Sequence, residues 1–273
     1  MSDFSIAFIG AGNMASSIVG GLTASGHPAG MIRAADVSAE SLERLTRVAP
    51  VSTGTDNATA ADGADVIILA VKPQVMAEVC ASIAPVVARD RALVLTIAAG
   101  VPIASYQRWL HTPAPVVRCM PNTPSLLGCG ASGLFASPEV SGQQRERAQA
   151  IMDAVGNSVW VAHEEQLHAV TAVSGSGPAY FFLFMESMVD AGEQLGLDRA
   201  TAAALVQQTC LGAARMALES GVPLDELRRR VTSLGGTTEQ AIASFESQDL
   251  RKVVHSALVA CSTRSRELSD ELG

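Results

Sequence analysis

Two stretches far apart along the chain carry residue types able to hold anions. From Ile6 to Ala15 a short apolar run turns at Gly10 and Gly12 and passes into a helical pattern, the Gly-x-Gly-x-x-Ala spacing of a dinucleotide-binding turn. There Gly10 permits the tight turn, Gly12 lets the backbone approach a pyrophosphate, and Ala15 lets the helix pack closely on the strand. The unpaired N–H groups and dipole at the helix start favour the anion. The second stretch, 228–239, reads Arg-Arg-Arg-Val-Thr-Ser-Leu-Gly-Gly-Thr-Thr-Glu. Two glycines followed by two threonines at the mouth of a helix offer N–H groups and hydroxyls as an anion cradle, or equally a bare capping arrangement.

Smaller signals lie between them. Asp36 follows the second apolar run, where a carboxylate can accept from adenosine ribose hydroxyls and repel a 2′-phosphate, which leans towards NADH; a helix cap is the competing role, which Ser38 also fits. Lys72, one of two lysines with Lys252, precedes Pro73 where cofactor ribose or phosphates would pass, or is simply solvated. The small residues of 96–100 suit close approach of a flat ring, and 118–124, Arg-Cys-Met-Pro-Asn-Thr-Pro, is a stiff two-proline loop with polar groups.

The elements that must position these residues follow from periodicity. Apolar β-type runs at 6–9, 32–35, 51–53, 66–71, 93–97 and 116–119 alternate with helical stretches, the mark of βαβ units and a parallel doubly wound sheet, with ligands beyond the strands' carboxyl ends. After Trp160 long Ala- and Leu-rich helical segments take over. The fold class expected is α/β, an N-terminal Rossmann-type domain over 1–163 followed by an all-α domain over 164–273. Ser176 or Gly177 is placed to cap a helix with Pro178 in its first turn, and its continuation 179–185 is apolar around nearly its whole circumference, which predicts burial. Helices are also predicted at about 199–220 and 250–272. Their many small residues point to packing on another copy, with burial inside one chain as the alternative.

Composition narrows the class. A length of 273 residues with 48% hydrophobic content can bury a large core. No apolar run approaches the roughly 20 residues of a membrane span and no leader pattern is visible, so a cytoplasmic location is expected. Cys80, Cys119, Cys129, Cys210 and Cys261 are scattered without Cys-x-x-Cys pairing and are read as buried thiols; the histidines show no metal-binding spacing, so no metal is expected. A net charge of −8 argues against nucleic acid.

Taken together, the runs at 8–15 (Phe-Ile-Gly-Ala-Gly-Asn-Met-Ala), 70–74 (Ala-Val-Lys-Pro-Gln), 98–101 (Ala-Ala-Gly-Val), 118–124, 174–180 (Ser-Gly-Ser-Gly-Pro-Ala-Tyr) and 231–238 (Val-Thr-Ser-Leu-Gly-Gly-Thr-Thr) closely resemble the pyrroline-5-carboxylate reductases, in the family's order and over essentially the whole chain. The resemblance implies reduction of 1-pyrroline-5-carboxylate to L-proline, the last step of proline synthesis, with NADPH or NADH. It implies an active site at a dimer interface, the cofactor on one chain's first domain and the Gly-Gly-Thr-Thr loop from the other, with dimers often joined into rings. Leu234 departs from the family's usual proline. Carried over, the cofactor contacts are Ile9, Gly10, Ala11, Gly12, Asn13, Met14, Asp36, Asn57, Ala70, Val71, Lys72, Pro73, Ile97, Ala98 and Ala99, with Arg230 reaching across from the partner chain. The substrate carboxylate falls to Ser233, Gly235, Gly236 and Thr237, and Thr238 is left to hydrogen-bond the ring nitrogen.

Hydride addition requires a protonated, oriented imine nitrogen. Thr238 is assigned to orient it and Glu164 to stabilise the cation, with catalysis mainly by positioning. A β-hydroxyacid dehydrogenase shares the two-domain plan, but Phe181 stands where that family carries its catalytic lysine. A cofactor-binding protein without turnover would leave the Gly-Gly-Thr-Thr cradle purely structural.

Overall fold

In the computed structural model, which describes residues 4–272, the strands β1 (Ile6–Ile9), β4 (Val66–Leu69) and β5 (Leu93–Thr96) are buried at every position. Strands apolar on both faces need cover on both, and crossover helices supply it. With β2 (Ile32–Ala35), β3 (Ser52–Gly54), β6 (Val116–Met120), β7 (Gly130–Ala136) and β8 (Gly156–Trp160) they form one sheet of order β3-β2-β1-β4-β5-β6-β7-β8. Strands β1 to β6 are parallel, the doubly wound order. The last two depart from the all-parallel expectation: β7 runs antiparallel to β6, and β8 is parallel to β7. Both are rich in glycine, serine and asparagine, which is why no apolar run announced them.

The helices are α1 (Asn13–Ala24), α2 (Ala39–Val48), α3 (Asn57–Ala61), α4 (Met76–Asp90), α5 (Ile103–Leu110), α6 (Gly142–Asp153), α7 (Gln166–Val170), α8 (Gly177–Gln194), α9 (Arg199–Glu219), α10 (Leu224–Arg230), α11 (Thr237–Ser247) and α12 (Leu250–Leu272). A π-helical turn, Thr171–Gly175, links α7 to α8. Strand pleating sends Ile6, Phe8 and Ile68 to one face, where they meet Ile18 and Leu22 of α1, and Ala7, Ile9 and Ile67 to the other, against Ile83 of α4 and Tyr106 of α5. Burying each large aliphatic side chain contributes about 1.5–3 kcal/mol. Four starts are capped by side chains: Ser38, Asp56, Ser141 and Asp198 accept from N–H groups in the first turns of α2, α3, α6 and α9.

Packing divides the chain into two compact units, one reaching to Ser176 and taking in the segment from Ala260 on, the other Gly177–Val259. The texture change in the sequence lies earlier, at 163/164; the π-turn and the second half of α12 pack with the sheet. Within the second unit the buried core is small, centred on Val189, Ala202 and Val206 between α8 and α9. The start of α8 is therefore not buried within the chain, contrary to expectation: Phe181, Phe182 and Leu183 are 64%, 63% and 64% exposed. The cysteines also divide. Burial pushes the Cys80 and Cys119 thiols up to about 12, but Cys129 is exposed and Cys210 and Cys261 are half-buried. Among the described residues no helix is long and apolar enough to cross a membrane.

Candidate active site

The carboxyl ends of five parallel strands finish level. The N–H of Gly10 donates to the Ala35 carbonyl (2.8 Å), that of Ala70 to Ile9 (2.8 Å), that of Ile97 to Leu69 (3.2 Å) and that of Asp36 to Gly54 (3.2 Å). At Gly10, φ is +103° and an added Cβ would lie 2.6 Å from the Ala70 oxygen, so only glycine fits this turn. Gly12 differs: its φ is −70°, a Cβ there meets nothing within 4 Å, and α1 begins on it without a side-chain cap. An open space before uncapped N–H groups fits a pyrophosphate of NADPH or NADH. Asn13 is exposed at that edge and Met14 half-buried.

Asp36 joins the turn to the next element. Its Oδ2 accepts from the Ala11 N–H (2.7 Å) and its Oδ1 from the Ser38 N–H (2.8 Å). Ser38 is the cap of α2, so Asp36 braces the glycine turn, and each oxygen keeps a lone pair for a ribose hydroxyl. Asn57 begins α3 and donates to Ser82 Oγ (3.1 Å). Val71 and Pro73 are half-buried beyond β4, and Lys72 is exposed between them.

Beyond β5, Ile97 and Ala98 are half-buried and Ala99 is exposed. With Pro73, Thr171, Ser176, Cys261 and Arg264, Ala99 lines a cavity of about 470 Å³. That is ample for a small ring carboxylate beside a nicotinamide. The 118–124 loop is tied in through Asn122, whose side chain donates to the Ser174 carbonyl (2.9 Å) and accepts from the Ala131 N–H (2.9 Å). Glu164 lies on the first unit: its Oε1 accepts from Arg118 Nη1 (2.7 Å) and from the Ile103 N–H (2.8 Å). A carboxylate so engaged has much of its charge offset by the buried guanidinium.

In the second unit α11 begins on Gly236, again without a side-chain cap. Gly235, at φ +72°, makes the turn and donates its N–H to Glu239 Oε2 (2.7 Å), while the Gly236 N–H donates to the Ser233 carbonyl (3.0 Å). The Thr237 and Thr238 N–H groups belong to the first turn, where helices leave donors unused. Ser233 Oγ faces Gly236 so closely that a Cβ there would be 2.6 Å away. Leu234 is 94% exposed, and Arg230 pairs through Nε with Glu226 (2.9 Å) on its own helix.

Sequence reasoning missed the support beneath residues 97–99. Tyr106 Oη lies 2.6 Å from Thr96 Oγ1, both wholly buried. In the sequence Ile103, Tyr106 and Leu110 share core-facing helical spacing, so Tyr106 reads as packing alone; the Thr96 partner emerges only from the tertiary arrangement.

A protein from Pseudomonas aeruginosa described as pyrroline-5-carboxylate reductase is 54% identical over 273 residues, covering 100% of both chains. The chain belongs to the pyrroline-5-carboxylate reductase family. Residues 164–268 match the model for pyrroline-5-carboxylate reductase dimerisation, and residues 5–100 match that for NADP oxidoreductase, coenzyme F420-dependent. A pyrroline-5-carboxylate reductase from Haemophilus influenzae is 45% identical, covering 96% of this chain and 97% of its own. The solved structure of a family member from Coxiella burnetii superposes with a TM-score of 0.96 at 45% identity, covering 98% and 99% of the two chains. That of a Plasmodium falciparum pyrroline carboxylate reductase with NADP bound gives 0.84 at 27%, also covering 98% and 99%. Membership of the reductase family makes the chain an NAD(P)H-dependent oxidoreductase with a Rossmann domain and a helical dimerisation domain.

Proposed function

We propose that the chain reduces 1-pyrroline-5-carboxylate to L-proline, the closing step of proline biosynthesis, and that the residues assigned from sequence carry it out. The observation that carries the residue-level reading is that α1 and α11, the helices the sequence singled out, both begin on glycine with no side-chain cap, one for each anion the reaction must hold.

The division that matters for chemistry is 1–163 for the cofactor and 164–273 for dimerisation and substrate. The turn Ile9–Met14, with Asp36, Asn57, the 70–73 segment and Ile97–Ala99, binds NADPH or NADH, and Arg230 approaches from the partner copy. Bound there, the reduced nicotinamide supplies the hydride. The substrate carboxylate meets Ser233 and the N–H groups around Gly236 and Thr237, of which those of Thr237 and Thr238 are the open donors, the Gly236 N–H being given to the Ser233 carbonyl. Gly235 shapes the turn, since its own N–H is taken by Glu239. Thr238 hydrogen-bonds the ring nitrogen and fixes the face the imine carbon presents. Because the substrate arrives already protonated on nitrogen, the hydride forms one C–H bond as the C=N double bond becomes single and its electron pair moves to nitrogen, neutralising the cation. The negative charge of Glu164, moderated by Arg118, favours that cation.

The exposed apolar start of α8 supports a dimer as the catalytic unit, with dimers joined into a ring as the resemblance implies. Five free thiols suit a reducing, cytoplasmic setting. Mixing the protein with 1-pyrroline-5-carboxylate and either reduced cofactor should oxidise the cofactor. Thr238→Ala should lower turnover about 10- to 100-fold in a folded dimer, the loss expected for a hydrogen bond to a charged group. No oxidation with either cofactor overturns the activity, and full activity in Thr238→Ala removes that residue from the mechanism.

A further inference from the structure

We propose that Tyr106 and Arg118 are positioning residues for hydride transfer, acting through Thr96 and Glu164 to fix the backbone of residues 97–102 beside the nicotinamide. The inference rests on the reductase reading above. This segment has little to hold itself in place. Ala98, Ala99 and Gly100 carry almost no side chain, Gly100 sits at φ +79°, and Pro102, at the start of α5, makes no side-chain cap.

Its anchors come from beneath. At one end the Ala98 N–H donates to Thr96 Oγ1 (3.3 Å), whose hydroxyl is held by Tyr106 Oη at 2.6 Å. At the other end the Ile103 N–H donates to Glu164 Oε1 (2.8 Å), which is held by Arg118 Nη1 at 2.7 Å. Between them Gly100 lies against α12, where a Cβ would be 3.1 Å from Leu272 Cδ1. The arrangement is poor value as a source of stability. Arg118 is 6% exposed, its Nε is buried without a partner, and a buried ion pair is often no better than apolar side chains of equal volume. What a buried, directional pair does supply is a fixed location for the groups bonded to it. Register places Arg118 directly beside Thr96, so the two anchors rise from adjacent strands at one level.

Tyr106→Phe deletes one oxygen and keeps the ring, so the core remains filled. Two readouts test the proposal. In the protein without cofactor, amide hydrogen exchange should quicken at Ala98 in Tyr106→Phe and at Ile103 in Arg118→Met, with little change in β1 or β4. In single turnovers with cofactor deuterated at the transferred position, the intrinsic isotope effect should become larger and more temperature-dependent in both variants. With it, kcat should fall about 3- to 10-fold in Tyr106→Phe, the scale of one neutral hydrogen bond, and about 10- to 100-fold in Arg118→Met, which breaks a bond between charged groups, while the KM of the imine holds within about twofold. Arg118→Lys, which keeps a cation near Glu164, should recover part of the loss. If wild type turns over but the isotope effect in both variants matches wild type, whatever happens to their melting temperatures, the positioning role is overturned and the reductase reading stands. A wild-type protein that oxidises neither cofactor overturns both.

Discussion

Gly10 and Gly12 sit two residues apart in the same turn and should fail in opposite ways when changed to alanine. Gly10→Ala places a methyl group 2.6 Å from the Ala70 carbonyl at φ +103°. The dihedral costs about 1–3 kcal/mol and the clash a similar amount, since the neighbour is backbone at the end of a central strand. A net loss of about 3 kcal/mol lowers the melting temperature by about 6–12 °C. Gly12→Ala meets nothing within 4 Å and keeps φ at −70°, which alanine tolerates. Alanine is a poorer N-cap than glycine by about 0.5–1 kcal/mol, but it restricts the unfolded chain by about 0.4–1 kcal/mol, so the two nearly cancel. Its methyl group, however, projects into the space assigned to the pyrophosphate. Losing one charge-assisted hydrogen bond there, about 1.5–3 kcal/mol, weakens cofactor binding about 10- to 150-fold. Thermal unfolding of the apoprotein, paired with fluorescence titration by NADH and NADPH, reads both quantities. A Gly12→Ala protein that melts as early as Gly10→Ala, or binds cofactor as wild type does, refutes the placement of the phosphate.

Three further outcomes are open to measurement. Asp36→Ser should weaken both cofactors by about tenfold, because a hydroxyl cannot serve the Ala11 and Ser38 N–H groups together, and should raise the NADPH:NADH affinity ratio; an unchanged ratio would leave Asp36 as a brace alone. Burial holds the His168 imidazole below its ordinary value of 6.5, aided by Arg118 and Arg266 and opposed by Glu165 and Glu164. Above that value native and unfolded chains are both neutral there; as pH falls through it the unfolded chain binds the proton first, so stability declines down to the lowered native pKa. His168→Gln should flatten this part of the urea-midpoint profile, and an identical slope would show that other groups set it. Phe181→Glu combined with Phe182→Glu should yield monomers in sedimentation velocity, and an unaltered dimer would move the contact elsewhere.

How far the sequence could be read depended on whether a residue's task was local. The runs 6–9 and 32–35 matched β1 and β2 because apolar strands fed by glycine turns declare themselves, and 250–272 matched α12. Gly10 and Gly12 were separable in role because turn geometry is a property of a few adjacent residues. The reversed β7 and β8 were not legible: Gly130, Gly133 and Gly156 hold places where backbones or Val170 press close, a reason for glycine that no periodicity encodes. Asp36 looked like a ribose ligand or a cap, and its bond to Ala11, 25 positions away, belongs to neither. Glu164 was found as a charge, but its partner Arg118 stands 46 positions earlier on a strand whose neighbours had to be known first.

The two rims of the sheet repay a last look. At one side β3 is three residues, Ser52–Gly54, exposed along its length; at the other β8 exposes Asn157 and Val159 and buries Ser158. A rim as brief and polar as β3 gives a stray polypeptide little ladder to extend, one of the ways sheets avoid edge-to-edge pairing. The exposed apolar start of α8 offers helix side chains instead, a kind of contact that can be retuned one residue at a time without unzipping the nucleotide-binding scaffold.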